Sequence, residues 1–170
     1  ENFYEINQIL KSRQDSYSDD DTYSDICVLI QGKEKYGHKI ILSSNSELFK
    51  KIFKASGKIN GITLDLRKFN NSIEIENYLL ENCKSNNKIV KIILPNNLHI
   101  TTFSEMWDYF YNKKLNLNFF SNEKQLLDLI STCVYLQTYD LLNKICFYIV
   151  TDFIPLNKIG KENILSILNI

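Results

Sequence analysis

A chain of 170 residues, 44% of them hydrophobic and 24% charged, is long enough to fold as one domain with a sizeable core. Its 20 Lys and Arg residues balance its 20 Asp and Glu residues, so the chain lacks the basic excess typical of a general nucleic-acid binder. No apolar run reaches the roughly 18–20 residues that a membrane-spanning helix needs, and no signal peptide is recognisable. We therefore expect a globular domain that binds neither nucleic acid nor membrane.

The sequence contains no recognisable set of catalytic, cofactor-binding or metal-binding residues. The four cysteines are scattered without a CxxC pair: Cys27, Cys83, Cys133 and Cys146. Two histidines, His38 and His99, are too few for an ordinary zinc site, and we expect structural roles for both. Gly-rich phosphate loops, HExxH and GxSxG elements do not occur. Reduced, buried thiols fit a cytoplasmic or nuclear compartment.

The first 23 residues predict a helix and a linker. Four apolar side chains recur at helical spacing within residues 1–14 and form one stripe: Phe3, Ile6, Ile9 and Leu10. Residues 15–23 are acidic and have no periodicity, so we interpret their aspartates as solvated loop rather than ligands. A short isolated helix is marginal in water, and its stripe must pack either on its own domain or on a second copy.

The next segment predicts a β-hairpin followed by a helix. The nearly all-apolar run 26–30 is typical of a strand covered on both faces, and Gln31–Gly32–Lys33 predicts the turn. Ser44 and Glu47 have capping-box spacing ahead of a helix that carries Leu48 and Phe49 on its apolar face.

The remaining chain predicts an edge strand at 62–69, a short helix at 73–83, a strand ending at Pro95 and three or more helices. Thr102 and Glu105 again have capping-box spacing, at the start of a strongly amphipathic helix. Further helices are predicted at about 122–136, at about 139–152 and from near Glu162. This order predicts an α+β fold, with a small sheet surrounded by a cluster of helices.

Two blocks of the sequence resemble the BTB/POZ family, over residues 24–53 and 89–150. In the first, Asp25 precedes the first strand, His38 and Lys39 follow the second, and Ser46 and Phe49 form the family's Ser-x-x-Phe. The second block is similar to the family's aromatic-rich helix, short strand and helical hairpin. The stretch between Phe53 and Ile89 is long where the family usually has a short connection.

The resemblance implies a BTB/POZ fold with the following organisation. Residues 1–14 correspond to a dimerisation helix, 15–23 to an acidic linker, 24–153 to the core with an insertion at about 55–87, and 154–170 to the start of a post-domain helical extension. Monomeric subfamilies lack a comparable opening helix, so its presence favours the dimeric branch.

The resemblance also implies a dimer interface. In dimeric relatives, residues at the positions of Asp25 and Lys39 meet in a charged pocket near the twofold axis. The alternative is an ion pair that only fixes local packing. The predicted interface therefore comprises this pair and the apolar stripe of residues 1–14.

A cullin-binding site is implied by the segment Phe103–Ser104–Glu105, which matches the hydrophobic-x-Glu motif of Cullin-3-binding members. Helix capping by Glu105 and core packing by Phe103 would explain the same residues. Four further contacts are expected by family position: Tyr111, Ile164, Leu165 and Leu168.

These observations predict a protein–protein interaction module and not an enzyme. We expect it to homodimerise and to serve as a Cullin-3 ubiquitin-ligase substrate adaptor. The alternative is a dimerisation or scaffold domain of a cytoskeletal or transcriptional protein that makes no cullin contact.

Overall fold

The computed structural model describes residues 24–57, 61–82, 88–116 and 123–153. The elements in chain order are β1 (Ile26–Ile30), β2 (Lys33–Gly37), α1 (Lys39–Asn45), α2 (Glu47–Ala55), β3 (Gly61–Asp65), a 3-10 turn (Leu66–Lys68), α3 (Ser72–Asn82), β4 (Lys88–Ile93), α4 (Ile100–Asn112), α5 (Glu123–Leu136), α6 (Tyr139–Tyr148) and a π-helical turn (Ile149–Phe153). The predicted helix at 1–14, the linker at 15–23 and the extension at 154–170 lie outside the described residues. None of the described helices is long and apolar enough to cross a bilayer.

The four strands form one mixed sheet in the order β2-β1-β4-β3. The predicted hairpin is confirmed: β1 and β2 pair antiparallel, from Ile26 opposite Gly37 to Ile30 opposite Lys33. Gln31 and Gly32 both have positive φ, which suits a two-residue turn whose twist matches the strands. Strand β4 pairs parallel with both β1 and β3. The fold is therefore α+β, with helices packed around a small sheet.

Only one face of β1 is fully covered. Ile26, Val28 and Ile30 are buried against the helices, whereas Cys27 and Leu29 on the opposite face are half-buried. The expectation of a strand covered on both faces is therefore met only in part. A charged pair, Glu34 and Lys91, joins β2 to β4 across that second face.

Residues 61–82 lie within the segment expected as an insertion at about 55–87. They form the predicted edge strand and short helix, and β3 pairs in parallel with β4. Leu64, Ile75 and Leu79 are buried and belong to the main hydrophobic core. This segment is therefore part of the packed domain and widens its sheet by one strand.

The cap of α2 differs from the prediction. Ser44 lies inside α1, where its hydroxyl donates to the Ile41 carbonyl at 2.9 Å, so the Ser44–Glu47 capping box is wrong. The N-cap is Ser46, whose Oγ accepts from the Phe49 N–H at 3.1 Å and donates to the Leu136 carbonyl at 2.5 Å. One hydroxyl thus caps α2 and fixes it to the end of α5.

Replacing Ser46 with alanine is expected to lower the free energy of unfolding by about 2 kcal/mol, because a cap is lost and a buried carbonyl loses its donor. Urea unfolding followed by circular dichroism measures the change. Ser44→Ala is the matched control and should cost less than about 0.5 kcal/mol, since that hydroxyl is exposed. Equal losses in the two variants would contradict the assignment of the cap.

Candidate partner-binding site

An open groove of about 410 Å³ lies between β2 and the first turns of α4. Strand β2 contributes Lys33 and Lys35, and α4 contributes Thr101, Ser104 and Glu105. The groove is also lined by Ile100, and its charged side chains carry both signs of charge. It contains the two residues of the hydrophobic-x-Glu motif that reach the surface.

Glu105 does not cap α4. The helix begins at Ile100 with His99 as its N-cap residue, and the His99 side chain makes no capping hydrogen bond; the Ile100 N–H donates instead to Gln31 Oε1 at 3.3 Å. The predicted Thr102–Glu105 capping box is therefore wrong, because Thr102 is buried in the first turn and Glu105 lies in the second. The alternative explanation of Glu105 as a helix cap does not apply.

The surroundings of Glu105 disfavour its charged form. Partial burial raises the pKa of this carboxyl, and the neighbouring Asp108 raises it further. A carboxyl whose folded pKa lies above its unfolded value stabilises the fold at acidic pH, and this contribution is lost as the pH rises through the folded pKa. The charged form of Glu105 is therefore less favourable in the folded domain than in the unfolded chain.

Glu105→Gln is accordingly expected to be at least as stable as the native chain at pH 7. The difference between the two should vanish at acidic pH, where Glu105 is protonated in the folded and unfolded states alike. Thermal unfolding of both proteins, measured at several pH values from pH 7 down to acidic pH, checks the prediction. A variant that is less stable than the native chain at pH 7 would show that the carboxylate has a favourable partner.

Phe103 and Tyr111 are core residues. Phe103 is 0% exposed, with its ring centroid 5.6 Å from that of Trp107. Tyr111 is 2% exposed, and its hydroxyl accepts from the His38 main-chain N–H at 3.1 Å and lies 3.1 Å from His38 Nδ1. Burial strongly raises the pKa of the Tyr111 phenol. The other cullin candidates, Ile164, Leu165 and Leu168, lie outside the described residues.

A close approach at Gly37 holds the hairpin on α4. A Cβ added to Gly37 would lie 2.5 Å from Trp107 Cζ2 and 2.9 Å from the Tyr111 hydroxyl. Only glycine fits here, and its backbone then leads directly to the His38–Tyr111 hydrogen bonds. Sequence reasoning assigned His38 a structural role but missed Gly37, whose only local signal is that it ends a strand ahead of a histidine.

Asp25 and Lys39 meet through the main chain of Lys39. Asp25 Oδ1 accepts from the Lys39 backbone N–H at 2.7 Å, at the first residue of α1. The Lys39 ammonium lies 5.5 Å from the centroid of the Phe53 ring, and burial lowers its pKa while Asp25 acts in the opposite direction. No ion pair within 4.0 Å joins the two residues in the described structure. The local ion pair is thus not formed, whereas the dimer pocket stays a prediction.

The cysteines of the described ranges carry free thiols. Cys133 is fully buried, which raises its pKa to about 12, and Cys27 and Cys146 are partly buried. His99 is half-exposed, with Nε2 3.9 Å from Asp128. In the ranges that the structure describes, no three His, Cys, Asp or Glu side chains lie close enough to share a metal ion.

Comparisons with known proteins agree in sequence and in fold. A family model described as the BTB/POZ domain matches residues 14–76. The BTB (Tramtrack and Bric a brac) domain of human gigaxonin superposes with a TM-score of 0.52 at 17% identity, covering 87% of this chain and 93% of that one. The BTB domain of zebrafish PATZ1 gives a TM-score of 0.56 at 12% identity, covering 89% and 97%. No curated protein matches the chain significantly.

Proposed function

We propose that this chain is a BTB/POZ protein–protein interaction module that homodimerises and acts as a Cullin-3 ubiquitin-ligase substrate adaptor, on the basis of the family model that matches residues 14–76 and the fold shared with two BTB domains. The observation that carries the cullin proposal is the position of Glu105. It lies at the groove between β2 and α4, caps no helix, and occupies the Glu of the hydrophobic-x-Glu motif.

The surroundings of Glu105 support the same proposal. Burial and Asp108 both raise the pKa of this carboxyl and so disfavour its charged form in the isolated domain. Unfavourable titratable groups at the rim of a groove are typical of binding sites. Lys33 and Lys35 line the same groove, and together with Glu105 they provide a mixed-charge surface that suits a partner of complementary charge.

Titration of the full chain with the N-terminal region of Cullin-3, by calorimetry, tests the cullin contact. We expect binding at or below micromolar concentrations and at least a tenfold weaker affinity for Glu105→Gln. Glu81→Gln is the matched control, because Glu81 is an exposed carboxylate on α3 outside the groove, and its affinity should be unchanged. Absence of binding at tens of micromolar would reject the adaptor role.

The homodimer proposal rests on the apolar stripe of residues 1–14, which needs a surface. At low micromolar concentration, light scattering should give a mass near twice 20.0 kDa. Ile6→Lys, or deletion of residues 1–14, should reduce the mass at that concentration to one chain. Gln8→Lys, a charge added outside the stripe, should leave it unchanged. A single-chain mass for the native protein would overturn the proposal.

A second candidate is an assembly domain without cullin contact. The burial of Phe103 and Tyr111 favours it, since only Ser104 and Glu105 among the described cullin candidates reach the surface. This candidate predicts a dimer that shows no cullin affinity, and the same titration separates the two.

A further inference from the structure

Strand β3 forms one edge of the sheet and is exposed on its outer side. Gly61, Ile62 and Thr63 are all exposed, and β4 is the one described element that contacts β3 extensively. Edge strands present unpaired main-chain N–H and C=O groups, which form a template for another strand.

The two edges of the sheet differ in how they are protected. At the opposite edge, β2 carries three successive charged residues, Lys33, Glu34 and Lys35, which is a common defence against edge-to-edge pairing. Strand β3 reads Gly-Ile-Thr-Leu-Asp and carries one charge. That charge, Asp65, is held by Arg67 through hydrogen bonds from Nε at 2.8 Å and Nη2 at 2.7 Å. The middle of β3 is therefore uncharged and rich in β-branched residues.

We propose that β3 is a second self-association surface, through which two copies of the chain pair antiparallel about a twofold axis at Thr63. The pairing would continue the four-stranded sheet into one of eight strands. Two identical strands related by a twofold axis in this way run antiparallel, and each contact occurs twice. This surface is distinct from the predicted helix at residues 1–14 and independent of cullin binding.

The side chains of β3 complement themselves in this register. Ile62 would lie opposite Leu64 of the second copy, and Thr63 opposite its own equivalent. Aliphatic and Thr–Thr cross-strand pairs of this kind stabilise antiparallel sheets. Ile62 and Leu64 point to the helix-covered side of the sheet, as shown by their pairing with Ile89 and Ile92, so the contact would cover the exposed part of Ile62.

The ends of the strand favour a second copy over a foreign peptide. Asp65 would lie opposite Gly61 of the second copy, where no side chain competes with the Asp65–Arg67 pair. Within β3, Gly61–Asp65, no two like charges face each other across the axis. A foreign strand would need a sequence that meets these same conditions, whereas the chain itself already provides one.

A symmetric cysteine pair tests the register directly. Residues that face each other in antiparallel strands have Cα atoms roughly 4.5–5.5 Å apart, which is within disulfide range. Full-length Thr63→Cys, oxidised mildly, should give a covalent dimer whose yield is at least fivefold above that of Thr101→Cys, an exposed control on α4. Both variants keep the native thiols, which could also form disulfides. Peptide mapping should therefore show that the disulfide joins position 63 in one copy to position 63 in the other. Equal yields would overturn the proposal.

A charge at the axis gives a second readout in the native redox state. At high concentration, the native chain should show a mass above that of the helix-mediated dimer, because pairs form through β3. Thr63→Lys places two ammonium groups opposite each other, so this rise in mass should be lost. Thr101→Lys should retain it. Ile6→Lys should abolish the low-concentration dimer yet leave the Thr63→Cys cross-link intact, which separates failure of this proposal from failure of the helix-mediated dimer. A native mass that never rises, or a rise that Thr63→Lys leaves unaltered, counts against pairing through β3.

Discussion

Replacing Phe103 with alanine is expected to lower the free energy of unfolding by about 4 kcal/mol, the largest effect of any change considered for this chain. The ring is fully buried and packs on Trp107 at a centroid distance of 5.6 Å. Truncation removes its transfer free energy and leaves a cavity between α4 and its neighbours that rigid surroundings only partly fill. Urea unfolding followed by Trp107 fluorescence measures the loss.

Two controls define the origin of the Phe103 effect. Phe103→Leu keeps most of the volume and should cost about 1 kcal/mol, and Ser104→Ala, next to it on the helix surface, should cost less than about 0.5 kcal/mol. A loss below about 1 kcal/mol for Phe103→Ala would place the ring at the surface and restore it as a contact residue. If the expected loss is found, weaker cullin binding by Phe103→Ala reports unfolding, and Glu105→Gln is the informative variant.

Gly37→Ala is expected to destabilise the chain by about 3 kcal/mol, at the upper end of the usual cost of overpacking. The new methyl group would lie 2.5 Å from Trp107 Cζ2, 2.8 Å from Cη2 and 2.9 Å from the Tyr111 hydroxyl. Neither ring moves freely, because both are buried in α4. Relief of the clash must therefore shift β2 and weaken the His38–Tyr111 hydrogen bonds.

Gly61→Ala is the matched glycine control. Its methyl group would meet only the Val90 side chain, at 3.2 Å, on a partly exposed surface, so the cost should stay within about 1 kcal/mol. A double-mutant cycle adds a direct test of the clash. In a Trp107→Leu background, the cost of Gly37→Ala should fall, since the two closest of the three atoms it meets are absent and only the Tyr111 hydroxyl remains. Additive costs would contradict a steric origin.

Periodicity predicted most of the elements because each pattern is local. The alternation in 26–30 with the turn at Gln31–Gly32 fixes the hairpin, and helical spacing correctly grouped Phe103 with the apolar face of α4. The family motif treats the same Phe103 as part of a binding site. The burial of Phe103 confirms the core position that its helical spacing predicts. A contact with a cullin stays a prediction.

Helix caps were the least predictable local feature. Both Ser44–Glu47 and Thr102–Glu105 have the spacing of a capping box, yet neither forms one. Ser46 is the cap of α2, and its hydroxyl also donates to the Leu136 carbonyl, 90 positions away. A hydrogen bond between such distant residues cannot be predicted from a short window of sequence.

Contacts between distant segments account for the rest of what sequence could not provide. The His38–Tyr111 bonds span 73 positions, and the parallel pairing of β4 with β1 and β3 requires the intervening helices to be in place. Glycine is required at position 37 because Trp107 lies beside it in the fold, 70 positions away in the sequence. The stripe at residues 1–14 and the extension at 154–170 lie outside the described residues and stay predictions.

The hydrogen bond from the Ser46 hydroxyl to the Leu136 carbonyl also constrains the order in which parts of the domain can fold during synthesis. When α2 has left the ribosome, the carbonyl that completes its cap has yet to be made, and β1 lacks its central partner β4 as well. At roughly 5–20 residues per second, translation needs roughly 5–20 s to supply the missing 90 positions. Strand β4 emerges within that interval and pairs with β1, whereas α2 stays without its contact to the end of α5. We therefore expect the packing of α2 to be completed only once α5 has emerged.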